Sequence, residues 1–405
     1  MPHSSPASQP APAIGPTDSQ ERLVFVDVLR VAIIVMVIAH HAAQAYGPTG
    51  GTWPITDPQN SDWFRPFYTV NAAVGMGLLF LLAGYFVPRA YDRKGLYRFL
   101  KDRWLRIGLP LVTFMLAVHV PVVYLLAGRP ALSEFIGSLY NSGWFLVYLH
   151  LWFLGHLLLY SVIYATCRRF AAGSGSARWS WAPPNNAAIV AVIAALALIT
   201  WIIRWWYPVD KWVPLLGVVA AEPAHLPQYV ILFAVGVAAY RGDWLRRLPV
   251  RLGAFWLGVG LTAAALMYLL QGLAADQWNT VVADGGLNWP SLVRSTWETV
   301  IALSLCIGLI VFFREVVHRP NRLIVAMAAA SYAAYILHLL IVIGLQAGIE
   351  GIAMPSVVKF ALVASVGTIL AFGVGHLSRY VPGLRTILGT TAHRVGQVEV
   401  PSRAD

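Results

Sequence analysis

The stretch VFVDVLRVAIIVMVIAHHAAQAYG, residues 24–47, decides the fold. It is apolar over the roughly 20 residues that a membrane-crossing helix needs. Asp27, Arg30, His40 and His41 interrupt the run and set it apart from a cleavable leader, so this first span is expected to stay in the mature protein. Comparable stretches recur along the chain at about 66–87, 108–127, 144–167, 186–204, 226–240, 252–272, 293–313, 323–346 and 356–378. The 405 residues are 58% hydrophobic and 12% charged, too apolar for a soluble domain, in which about 25% of residues are charged. The expectation is an all-α polytopic bundle of ten transmembrane helices.

The basic residues test that count, because Lys and Arg gather on the cytoplasmic side of each crossing. One set of connections carries Arg89, Arg93, Lys94, Arg98, Lys101, Arg103 and Arg106, then Arg168, Arg169 and Arg178. The same set continues with Arg241, Arg246, Arg247 and Arg251, then Arg314, Arg319 and Arg322, and ends in a tail with Arg379, Arg385, Arg394 and Arg403. The alternate connections hold scattered bases beside Asp57, Asp62, Glu134, Asp210, Glu222, Asp276, Asp284 and Glu350. Both termini are therefore expected in the cytoplasm. The net charge of +11 reads as topology rather than as a nucleic-acid surface, since the bases are not interleaved with stacking aromatics.

Residues 1–20, rich in Pro, Ser and Ala, read as a disordered cytoplasmic tail; 21–385 as one membrane domain; and 386–405 as a second tail. Cys167 and Cys306 are the two cysteines, too few for a disulfide framework. No acidic cluster accompanies the histidines, so no metal site is expected.

An Arg or Asp deep in a span costs about 3 kcal/mol, so the first span's polar residues need partners. Arg30 and His41 are eleven positions apart, which returns a helix to within about 20° of the same face over some 16 Å. Asp27 and Gln44 fall near that line, giving one polar stripe that suits a pore or a cleft. The other reading is a local Asp27–Arg30 pair, with His41 bonded to a carbonyl of a neighbouring helix. The segment PRAYDRKGLYRFLKDRWLRIGLP, residues 88–110, reads as a basic interfacial helix on anionic headgroups. Equally, Arg103 and Arg106 could form a forked clamp for phosphate oxygens.

These residues resemble acyltransferase family 3, the integral membrane acyltransferases. The resemblance rests on DVLR with His41 beyond Arg30, FLLAGYF at 80–86, RWLR followed by IGLP at 103–110, and HLWFL at 150–154. It continues through Tyr229, Phe233 and Gly236 to SYAAYILH at 331–338. It implies transfer of an acyl group, most often acetyl, from cytoplasmic acyl-coenzyme A as co-substrate to a hydroxyl of an exported glycan or other envelope molecule. It places the protein in the bacterial cytoplasmic (inner) membrane. Arg30 and His41, with the Arg103 and Arg106 pair, match family positions, and His150 and His338 match by motif. Ala83 stands where the family commonly has Ser, and His40 beside His41 makes a doublet. Relatives that modify periplasmic glucans, some with succinyl, share the HLWFL and GYF variants.

Alongside the resemblance, arginines at the cytoplasmic mouth can hold coenzyme A while the acyl end reaches His41. That imidazole would then act as general base or carry the acyl group itself. His150 and His338 read as supporting residues, with Ser331 and Tyr335 at helical spacing from His338. Trp205 and Trp206 read as interfacial anchors or as a stacking platform for sugar rings. The rival functions are a transporter or flippase of an anionic or lipid-linked solute without acyl-transfer chemistry, and a membrane scaffold in which the stripe only packs.

Overall fold

The computed structural model describes residues 23–47, 53–171, 181–273, 284–319 and 321–388. The expected tail 1–20, most of the tail 386–405, and Arg178, Asp276, Arg394 and Arg403 lie outside the described residues. Among the described residues, eight helices are long and apolar enough to cross a membrane. The chain is an all-α, multi-pass membrane protein.

The first span is one uninterrupted helix, α1 (Val24–Ala43), with Asp27 in its first turn, where a carboxylate suits the helix dipole, and His40 and His41 in its last. α2 (Arg65–Arg103) starts on Pro66, whose missing N–H costs nothing at a helix start. Gly95, at φ 69° and ψ 171°, breaks α2 in a conformation that side chains avoid. The chain then continues through a π-helical turn (Trp104–Gly108), α3 (Leu109–Phe114), a second π turn (Met115–His119) and α4 (Val120–Leu126). Pro110 cannot donate to the Arg106 carbonyl one turn earlier. That carbonyl instead accepts a hydrogen bond of 2.7 Å from the Tyr332 hydroxyl.

Beyond α5 (Leu132–Ser138) and a 3-10 segment (Trp144–Leu151) come α6 (Trp152–Ala171) and α7 (Asn186–Arg204). α8 (Leu226–Gly242), α9 (Trp244–Arg247) and α10 (Val250–Leu273) follow. The last helices are α11 (Trp289–Val316), α12 (Arg322–Gly348), α13 (Ser356–Leu377) and α14 (Pro382–Ile387). Asn185, Asn288 and Asn321 cap α7, α11 and α12 by accepting a backbone N–H three residues on. One element departs from the all-helical expectation: an antiparallel hairpin, β1 (Val213–Leu215) and β2 (Val219–Ala221), pairs Val213 with Ala221. Its turn puts Leu216 and Gly217 at positive φ, the geometry that tight hairpins require.

α1 lies at the centre, packed against α2, α11, α12 and α13. α2 and α8 approach at backbone distance. A Cβ at Gly84 would fall on the Phe233 carbonyl oxygen, and one at Gly236 on that of Leu81. Small residues are how helices in lipid gain close contact, which explains the FLLAGYF and Tyr229–Phe233–Gly236 motifs as packing.

Candidate active site

α1 delivers His41 into a group of four histidines drawn from four separate segments. Ring centroids lie 5.0 Å apart for His41 and His338, 4.8 Å for His338 and His150, and 5.4 Å for His150 and His119. His338 comes from α12, His150 from the 3-10 segment and His119 from the second π turn.

The hydrogen bonds assign the tautomers. His338 Nδ1 lies 2.6 Å from the Tyr335 carbonyl oxygen, which can only accept, so Nδ1 carries the proton of the neutral ring. Its Nε2 is then an acceptor, and it lies 3.0 Å from His41 Nδ1. His41 Nδ1 also lies 3.0 Å from the Val37 carbonyl oxygen, so Nδ1 is the donor shared between the two. This leaves the lone pair of His41 on Nε2, the form a general base requires. Tyr335 is held in turn, because its hydroxyl donates to the His150 carbonyl oxygen and its own carbonyl accepts from His150 Nε2 at 3.1 Å.

A cover lies over His41. Trp53 stacks on its ring with 5.7 Å between centroids. The Trp53 indole donates to Gln346 at 2.8 Å, and Gln346 donates to the carbonyls of His41 and Ala42 at 3.1 and 3.0 Å. The loop bearing Trp53 is tied down by a buried ion pair of 2.5 Å between Asp57 and Lys359 of α13.

The polar stripe of the first span resolves into separate pairs. Arg30 bonds Asp27 at 2.6 Å, and Gln44 lies 3.3 Å from His40 Nε2 rather than on His41. Ser331 donates to the Met327 carbonyl, a local helix bond. Around the break at Gly95, Arg106 pairs with Asp102 at 2.9 Å, and Lys94 pairs with the same Asp102 at 2.7 Å. Arg103 rests over the Phe99 ring, and its Nε has no hydrogen-bond partner among the described residues. Trp205 and Trp206 form a ring cluster with Trp201 at the end of α7, with Trp206 exposed.

Sequence reasoning passed over His119, Trp53, Gln346 and a second buried charge network. There Arg204 of α7 bonds Glu298 of α11 at 2.5 Å, and Arg294 reaches the same carboxylate at 2.8 Å. His225, just before α8, lies 2.9 Å from Glu222. Burial alone would lower the His225 imidazole, but Glu222 and Glu298 win and push it up to about 9. Burial and the neighbouring Glu222 push Asp210 up to about 6. His119, Arg204 and Lys359 each stand alone in an apolar run, and an ionisable residue in such a place is the signal that could have found them.

Comparison with known proteins bears on this arrangement. The acyltransferase domain model matches residues 23–376. The chain is 28% identical over 142 residues to the glucans biosynthesis protein C of Escherichia coli K12, covering 33% of this chain and 36% of that protein. It is 28% identical over 150 residues to the protein of the same name from Salmonella paratyphi B, covering 35% of this chain and 38% of the other. The aligned region thus spans little more than a third of the length of these relatives. No solved structure matches the chain. With a single domain match that takes in α1 and the four-histidine centre alike, the chain belongs to acyltransferase family 3.

Proposed function

We propose that the protein transfers an acyl group, acetyl in the first instance and succinyl as the alternative, from cytoplasmic acyl-coenzyme A to a hydroxyl of an exported glycan or other envelope molecule. The observation that carries the reading is the chain from the Tyr335 carbonyl through His338 to His41, which leaves the Nε2 lone pair of His41 to take a proton. The acceptor O–H gives its proton to Nε2 as the oxygen attacks the thioester carbonyl. The C–S bond then breaks, and the departing thiolate recovers the proton from His41. A general base of this kind contributes about 10² to 10⁴ in rate. Arg103 and Arg106, with Arg30 further along α1, are the side chains proposed to receive the phosphates of coenzyme A. The unpartnered Nε of Arg103 supports that role.

The proposed topology has ten crossings with both termini cytoplasmic, in the bacterial inner membrane. The break at Gly95 supports it by dividing a 65-residue helical candidate, Asp62–Leu126, into two crossings. α8, with 17 residues, supplies the remaining one.

The test is acyl transfer by the purified protein in nanodiscs, with acetyl- and succinyl-coenzyme A, comparing wild type with His41→Ala at matched folding. We expect turnover to fall by about 10² to 10⁴. Equal turnover in both proteins would remove His41 from the chemistry. Absence of turnover and of donor binding in folded wild type would move the reading to a transporter. Isolation of a stable acyl-histidine would replace the general-base mechanism.

A further inference from the structure

His119 is fully buried and His150 is 6% exposed, and neither takes the proton in the transfer proposed at His41. His119 Nδ1 lies 2.9 Å from the Val147 carbonyl oxygen, so the neutral ring spends its N–H there and presents a lone pair at Nε2. His150 Nε2 lies 3.1 Å from the carbonyl oxygens of both Tyr335 and Ile336, which leaves its lone pair at Nδ1. Both of these remaining nitrogens, His119 Nε2 and His150 Nδ1, are buried and find no donor among the described residues. A buried acceptor without a donor is costly, and two on rings 5.4 Å apart mark a place built to receive donors.

The backbone aims both rings by irregular means. His119 ends the π turn Met115–His119, and such turns gather at functional sites. His150 follows Leu149, which is held at φ 45° and ψ −130°, a conformation that a leucine adopts only when its surroundings impose it. The ligand class follows from the chemistry. Two lone pairs repel a carboxylate or a phosphate and accept O–H groups. No group of three metal-binding side chains occurs among the described residues. The ring centroids of His150 and His41 lie 6.4 Å apart, near enough for both histidines to touch one acceptor molecule.

We propose that His119 and His150 form an acceptor subsite that takes further hydroxyls of a polyhydroxylated acceptor, and so fixes which hydroxyl is offered to His41. The subsite selects saccharides and polyols over simple alcohols. It rests on the acyl-transfer reading of His41 and deepens it by naming the residues that choose the acceptor.

Substitutions matched to each hydrogen bond provide the test. Asn places an N–H where Nδ1 stood, so His119→Asn keeps the bond to Val147 and removes Nε2. Gln places one where Nε2 stood, so His150→Gln keeps the bonds to Tyr335 and Ile336 and removes Nδ1. Full-length protein in nanodiscs is assayed with acetyl-coenzyme A and two acceptor types, saccharides (glucose, methyl glucoside and a glucan oligosaccharide) and 1-propanol. Thermal stabilisation by the saccharides alone is measured in parallel. We expect the ratio of kcat/KM for saccharide over 1-propanol to fall at least tenfold in the double variant, and saccharide stabilisation to be lost. An unmoved ratio, in protein that turns over, overturns the subsite and leaves the reaction standing. Saccharide stabilisation that depends on both histidines, in protein that turns over no acyl donor, overturns the reaction and leaves the subsite standing. Wild type that neither uses nor is stabilised by any of the saccharides overturns the subsite.

Discussion

At the scale of single residues, the His41–His338 contact is the one on which the proposed general-base role of His41 rests. A neutral histidine offers its lone pair at whichever nitrogen its partner leaves unprotonated. His338→Asn keeps a donor toward the Tyr335 carbonyl and removes the Nε2 that receives His41 Nδ1. With this tether gone, His41 relies on Val37 alone, and we expect kcat to fall by on the order of 10-fold to 10²-fold, toward the lower range of a general-base effect. KM for acyl-coenzyme A should move much less, and steady-state kinetics at saturating acceptor would separate the two. The relation of Arg30 to His41 was legible from the sequence, because both lie on one helix, where spacing alone fixes it. The meeting of His119 with His150 was not, since a lone histidine in an apolar run signals a buried ionisable group without saying what it meets.

Two contacts between elements set how firmly the centre is framed. The close approach of α2 and α8 leaves no room for a side chain at Gly236, where a Cβ would strike the Leu81 carbonyl. Gly236→Ala should therefore cost about 1–3 kcal/mol, the usual range for overpacking. It would be read as a lower melting temperature in detergent, with the helix content of the folded protein retained. The Asp57–Lys359 pair holds the Trp53 loop over His41 from within a buried setting. Removing one partner of a buried ion pair leaves an uncompensated charge and costs about 3–5 kcal/mol. Lys359→Met alone should thus lower the melting temperature strongly, whereas Lys359→Met with Asp57→Leu should regain most of the loss. A double variant no better than the single one would show that the Asp57 carboxylate acts instead through the bond it accepts from the Gln59 N–H.

For the molecule as a whole, pH reports on the second charge network, which joins α7, α11 and the segment before α8. His225 titrates at about 9 rather than near 6.5, because Glu222 and Glu298 outweigh its burial. A raised histidine contributes stability that is fully present below about 6.5 and is lost as pH rises through about 9. The same His225 holds Glu222 below the ordinary glutamate range against the opposing effect of burial, which adds stability at neutral pH that is lost in acid. We expect the melting temperature to fall between pH 7.5 and 9.5 in wild type and to flatten over that window in Glu222→Gln. An unchanged slope in the variant would assign the alkaline loss to another group.

The sequence by itself determined the membrane helices, because hydropathy over some 20 residues is a local property that lipid reads directly. It also carried the family in motifs whose order survives along the chain. Gly84 and Gly236 were visible as motif letters, and only packing made them the place where α2 meets α8. The tertiary structure alone decided which polar residues meet. Of the two readings of α1 it favours the local Asp27–Arg30 pair, beside a Gln44–His40 contact, and it brought His338, 297 positions away, onto His41. The physical reason is that spacing along one helix follows from its pitch, whereas proximity between helices is set by how all of them pack together.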